Sequence, residues 1–87
     1  MRLKYSFEMM KLDDQIVAVP VGDKASEFHG VIKLNETAAA ILELLKEETV
    51  EEAIIKALEN EYEVDRDTLT KDVYNILTEF KDKGMLV

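Results

Sequence analysis

Apolar and polar residues alternate at the start of the chain. Leu3, Tyr5, Phe7 and Met9 fall on one face, and Lys4, Ser6 and Glu8 on the other. A period of two marks a half-buried strand, predicted over residues 3–12. Asp13-Asp14 is a turn dipeptide. A second apolar run, Gln15–Val21, follows it, so the two runs predict a hairpin. Pro20 has no backbone donor and belongs near a strand end or on an edge. Residues 22–30 are polar and loop-like. Residues 31–34 predict a short third strand at an edge.

The period then changes from about two residues to about 3.6 at Asn35. A strand therefore runs straight into a helix, with the Asn35 side chain placed to accept from the free N–H groups at the helix start. The helix is predicted over residues 36–46, with Ala38, Ile41, Leu42 and Leu45 as its buried stripe. Thr49-Val50-Glu51-Glu52 reads as a capping box. It opens a second helix to about residue 62, with Val50, Ala53, Ile54, Ala57 and Leu58 inward. Asp65 or Asp67 caps a third helix ending at residue 83, whose core stripe is Leu69, Val73, Ile76, Leu77 and Phe80. Gly84 suits the position after a helix end, where a left-handed backbone is needed. Met85-Leu86-Val87 is an apolar tail expected to pack back as an extended segment. The fold class is α+β: a three-stranded antiparallel sheet followed by a three-helix bundle, similar to a winged helix. With 87 residues the chain makes one domain, residues 1–87.

Composition narrows the chemistry. There is no cysteine, which excludes disulfides, thiolate metal sites and a cysteine nucleophile. No apolar run approaches the ~20 residues of a membrane span. The first ten residues lack a signal peptide's apolar centre, so a cytoplasmic protein without a membrane partner is expected. The formal net charge of −8 repels phosphate backbones and counts against nucleic acid as a partner. It is compatible with a protein partner, although for most of the acids simple solvation is the better account.

No catalytic constellation emerges. The one histidine, His29, lies in a loop beside Gly30 and reads as a solvated residue. The acid pairs Asp13-Asp14, Glu47-Glu48 and Glu51-Glu52 sit at turns and helix ends, and adjacent helical residues diverge by about 100°. Gly22, Gly30 and Gly84 are isolated, so no phosphate-binding loop exists. Ser26 stands in Ala-Ser-Glu-Phe, unlike the Asp-Ser-Leu setting of a carrier attachment site. No cofactor is expected, and the chain is read as a non-enzyme.

The positive signal is geometric. Thr70, Tyr74, Leu77 and Lys81 lie along one flank of the third helix, roughly 40–100° from Val73. If that flank stood beside Val31, Ile32, Lys33 and Leu34, the two would form a groove. A strand with unpaired N–H and C=O groups is a template for an incoming extended peptide. The same exposed edge permits a homodimer. From the pattern alone, core periphery for Tyr74 and Leu77 and solvation for the lysines is the better account of these residues.

A family resemblance changes that weighting. The stretch Gly30-Val-Ile-Lys-Leu-Asn-Glu-Thr-Ala-Ala39, followed by Ile41-Leu42-Glu43-Leu44-Leu45, resembles the signature of the PqqD family of pyrroloquinoline quinone biosynthesis. Thr49-Val50-Glu51-Glu52-Ala53-Ile54 is similar to that family's second-helix start, and residues 72–86 to its closing helix. The likeness runs from about Gly30 onward. The hairpin agrees in length but has no diagnostic motif, and the chain end is shorter than usual. The resemblance implies a peptide-recognition domain that binds the leader of a ribosomally made precursor peptide. It would present that leader to a modifying enzyme, often a radical-SAM protein. The leader would add as a strand to the third strand, beside the third helix. A fold alone does not fix a function. The competing reading is a winged-helix nucleic-acid-binding or transcriptional regulatory domain, which would need a basic third helix.

Overall fold

The computed structural model describes all of residues 1–87. Strands β1 (Ser6–Leu12), β2 (Gln15–Val21) and β3 (Ile32–Leu34) are followed by helices α1 (Glu36–Leu44), α2 (Glu51–Glu61) and α3 (Arg66–Asp82). The sheet is antiparallel in the order β1-β2-β3, so β1 and β3 are both edges. A short 3-10 turn, Ala25–Glu27, lies in the connection between β2 and β3. No helix is long and apolar enough to cross a membrane.

Pro20 fixes the phase of the ladder. It stands opposite Phe7 and has no N–H, so this pair cannot be a hydrogen-bonded one. Alternation then makes Glu8–Val19, Met10–Val17 and Leu12–Gln15 the hydrogen-bonded pairs. The last of these closes a two-residue loop whose Asp13 has φ 55°, a left-handed conformation that aspartate tolerates. Ile16 and Ala18 therefore turn their backbone groups toward β3, where they pair with Leu34 and Ile32. Pro20 lies beyond the end of β3, so its missing donor costs the sheet nothing on that side.

The same alternation sets the faces. Phe7, Ala18, Ile32 and Leu34 point into one core with Ala38, Ile41 and Leu42 of α1. Leu69, Val73, Leu77 and Phe80 of α3 and Ile54, Ile55 and Leu58 of α2 complete it. Asn35 caps α1 as its sequence position demands: its side-chain oxygen accepts from the Ala38 N–H at 2.8 Å. Asp65 caps α3 by accepting from Thr68 N–H at 3.3 Å. Gly84, at φ 73°, ends α3. Its N–H donates to the Lys81 carbonyl and that of Met85 to the Phe80 carbonyl, both at 3.0 Å. This paired closure turns Met85 back into the core beside Phe80.

Four local expectations change. The tail does pack back as an extended segment, and it takes the first residues of the chain with it. Leu3 bridges Leu86, Val87 N–H donates to the Arg2 carbonyl at 2.9 Å, and Lys4 N–H donates to the Met85 carbonyl at 2.7 Å. The strand expected from residue 3 therefore begins at Ser6. Thr49 is not a cap. Its N–H donates to the Met1 carbonyl at 2.9 Å and its own carbonyl accepts from the Met1 amino group at 2.7 Å. The cap shifts to Val50, which offers no side-chain acceptor and is 61% exposed. Ala53 is exposed and Ile55 is buried, which rotates the inward face of α2 from the expected one. Helix α1 stops at Leu44, two residues early, with Leu45 as its buried cap.

Candidate functional site

β3 is only three residues long and pairs with β2 alone. Ile32 and Leu34 spend their backbone groups on that pairing. Lys33 stands opposite Val17 in a non-hydrogen-bonded pair, so its N–H and C=O point away from the sheet. Val31, two residues earlier and 59% exposed, has the same phase just before the strand. No backbone bond in a turn, loop or cap uses Val31 or Lys33. The open edge thus presents donors and acceptors at a two-residue spacing, the repeat of an incoming strand. Asn35 and Glu36 end the edge by starting α1.

Beside this edge lies a cleft. Its β3 wall is Val31 and Ile32, with Phe28 and His29 from the preceding loop. Lys4, Tyr5, Lys83, Gly84 and Glu27 complete it. The floor is aromatic. The Phe28 ring lies 5.2 Å from that of Phe7 and 5.4 Å from that of Tyr5, centroid to centroid. Edge and tilted stacking of this kind holds the three rings in place. The Lys4 ammonium sits 5.6 Å from the Tyr5 ring centroid, a cation–π contact.

The four helix positions fall differently. Tyr74, Leu77 and Lys81 do come together, in a separate cleft of about 570 Å³. Its other walls are Met1, Thr49, Val50 and Glu51 at the start of α2, and Thr78, Asp82 and Leu86. No β3 residue lines it. Tyr74 is 60% exposed, Leu77 is buried in the core, and Thr70 is half-buried outside both clefts. No residue of α3 lines the β3 cleft, which takes in only Lys83 and Gly84 from just past the helix end. Ile76 and Lys83 lie roughly 60–80° from Val73 in the other sense, Lys83 lines the β3 cleft, and its ammonium pairs with Glu79 at 3.8 Å along that side. Helical spacing locates both flanks of a stripe but carries no information on which neighbour stands at each. Phe28 and Tyr5 line the β3 cleft and were not among the site residues that the sequence singled out. Their signal in the sequence was present only as aromatic content near both ends of the hairpin.

A few charges hold the scaffold. Arg66 reaches from α3 to Glu52 and Glu59 of α2, and Glu52 first, then Glu59, raise its pKa. Glu48 pairs with the Met1 amino group, which lowers its carboxyl below the ordinary value of 4.5, with Arg2 adding a smaller effect. No group of three or more histidines and acids converges as a metal site.

A family model described as coenzyme PQQ synthesis protein D, PqqD, matches residues 10–86. Among solved structures, "TbiB1 in Complex with the TbiA(beta) Leader Peptide" is similar, with a TM-score of 0.73 and 26% sequence identity. That likeness covers 99% of this chain and 94% of the other. Among curated proteins none matches.

Proposed function

The chain belongs to the PqqD family, and we propose that it is a non-catalytic peptide chaperone that binds the leader of a ribosomally synthesised precursor. The leader adds as a fourth strand to β3 and is presented to a peptide-modifying enzyme of the radical-SAM type. The observation that carries this reading is the open edge of β3, with the backbone groups of Val31 and Lys33 turned outward. Strand addition draws its affinity from such main-chain bonds and its specificity from the pockets beside them. The TbiB1 complex supports it, since a protein of the same fold over nearly the whole chain holds a leader peptide.

The groove in this reading is Val31, Ile32, Lys33 and Leu34, walled by Phe28, Tyr5 and the residues Lys83 and Gly84 just past α3. Val31 and Lys33 supply backbone pairing; Ile32 and Leu34 anchor the edge to the core. Tyr74, Leu77 and Lys81 stand on the other flank and would serve this groove only by keeping α3 in place. Catalysis is left to the enzyme partner in this reading, since His29 stands alone and no group of three or more acids and histidines converges. The reading places the protein in the cytoplasm, where such precursors are made. A second copy would pair with the same edge and compete with the leader. The nucleic-acid alternative gains nothing from α3, where Arg66 is engaged by two glutamates and Asp67, Asp72, Glu79 and Asp82 offset the lysines.

Calorimetric titration with the precursor peptide encoded beside this gene tests the reading. Full-length and isolated leader should bind alike, and the precursor lacking its leader should not. Equal binding of the leaderless peptide would overturn it.

A further inference from the structure

The chain is acidic overall, yet the cleft beside β3 is locally basic. Lys4 and Lys83 line it against the single carboxylate of Glu27. Lys33 stands on the adjoining edge itself. The cleft on the far flank of α3 has no such excess, with Lys81 and the Met1 amino group set against Glu51 and Asp82. Lys4 enters no ion pair and leans on the Tyr5 ring, and Lys83 is held only by an exposed, long contact to Glu79. Both ammonium groups are therefore available to an incoming carboxylate. Next to them the cleft is apolar and aromatic, with Tyr5, Phe28 and Ile32.

Resting on the strand-addition reading above, we propose that the β3 cleft selects its peptide by a paired chemistry. The bound segment carries one aliphatic or aromatic side chain and one carboxylate two residues away. Residues two apart on a strand share a face. When the peptide pairs with Val31 and Lys33, one such face turns into the cleft. The apolar member then covers Phe28, Tyr5 and Ile32, and the acidic member reaches Lys4 and Lys83. A basic residue at that place would meet two lysines and be rejected, which supplies specificity by repulsion as well as attraction. The net charge of −8 over the whole chain sharpens the choice, because the overall field repels an acidic peptide while this cleft attracts it.

The test is selection from a displayed library of random linear 12-residue peptides on the full chain, read by sequencing. Clones whose binding is lost on Lys33→Pro define the β3 set. That set should be enriched in Asp or Glu two residues from an aliphatic or aromatic residue. The double change Lys4→Glu, Lys83→Glu should weaken a labelled acidic clone by about tenfold or more in fluorescence anisotropy and select Lys or Arg at the same place. Raising the salt from 50 to 500 mM should weaken the wild-type pair and not an uncharged clone. A β3 set with no acidic preference overturns the charge inference and leaves leader binding standing. If no clone depends on Lys33, strand addition itself fails. Both lysines are exposed, and the fold uses only their backbone N–H groups, to the Met85 and Glu79 carbonyls, beyond the long Lys83–Glu79 contact; the library result stands even if the double variant is unstable.

Discussion

Lys33 faces Val17 across the β2–β3 ladder, and that pairing turns the Lys33 N–H away from the sheet. Its neighbours Ile32 and Leu34 have the reverse phase and are buried. The side chain of Lys33 and its backbone therefore have separable roles. Lys33→Pro removes an edge donor without touching a β2 bond and should weaken leader binding about tenfold or more, the worth of a main-chain bond plus the ring's steric cost. Val31→Pro should do the same. Lys33→Ala keeps the donor and should cost the leader only its charge contact, a few-fold at low salt. Calorimetry on the three variants checks this. Equal losses for Lys33→Pro and Lys33→Ala would assign the effect to the side chain.

Asn35 joins the edge to the bundle. Its cap bond to Ala38 holds the start of α1 directly after Leu34. Asn35→Ala should lower stability by about 1 kcal/mol, and the melting temperature by roughly 4–8 °C for a domain of this size. Asn35→Asp should retain most of it, because a carboxylate accepts the same bond and suits the helix dipole. Thermal melts of both variants decide the point.

The closure of α3 gives a graded pair. A Cβ at Gly84 meets no atom within 4 Å, so Gly84→Ala costs only the left-handed backbone, about 1 kcal/mol. Met85 is fully buried, and Met85→Ala opens a cavity worth about 2–5 kcal/mol. Urea unfolding should separate the two by the midpoint with little change in slope.

Glu48 predicts a pH effect. The hydrogen bond from the Met1 amino group lowers its folded pKa below 4.5. A depressed carboxyl contributes stability above its unfolded value, and loses it as pH falls through the folded one. Glu48→Gln should therefore melt slightly below wild type near neutral pH, and the gap should close toward pH 3. The carboxylate is exposed, so the effect is small and should shrink further in high salt.

Much of this arrangement was legible in the residues. The apolar run between the Asp13-Asp14 turn and the polar loop placed β2 at its observed bounds, and the change of period at Asn35 located the passage from β3 to α1. The buried stripe of α3 followed from 3.6-residue spacing except at Ile76, which is half-buried at the edge of the core. What was not legible depends on contacts distant in the chain. Residues 2–4 leave the strand pattern because residues 85–87 return to pair with them. Thr49 loses its capping role to backbone bonds with Met1. The β3 cleft takes in Lys83 and Gly84 past the end of α3 and not Tyr74, since the surroundings of each flank of a helix are set only when the helix is docked. Phe28 lies in a polar loop whose path only the fold defines.

Strand addition to β3 makes a claim about single amide groups, and hydrogen exchange resolved by residue tests it most directly. In the free protein the Ile32 and Leu34 amides should be protected and those of Val31 and Lys33 should exchange as open ones. With the cognate leader bound, Val31 and Lys33 should become protected together, with little change at Tyr74 or Lys81. Protection that leaves Val31 and Lys33 open and appears at Tyr74, Thr78 and Lys81 would contradict the account and move the peptide to the other flank of α3.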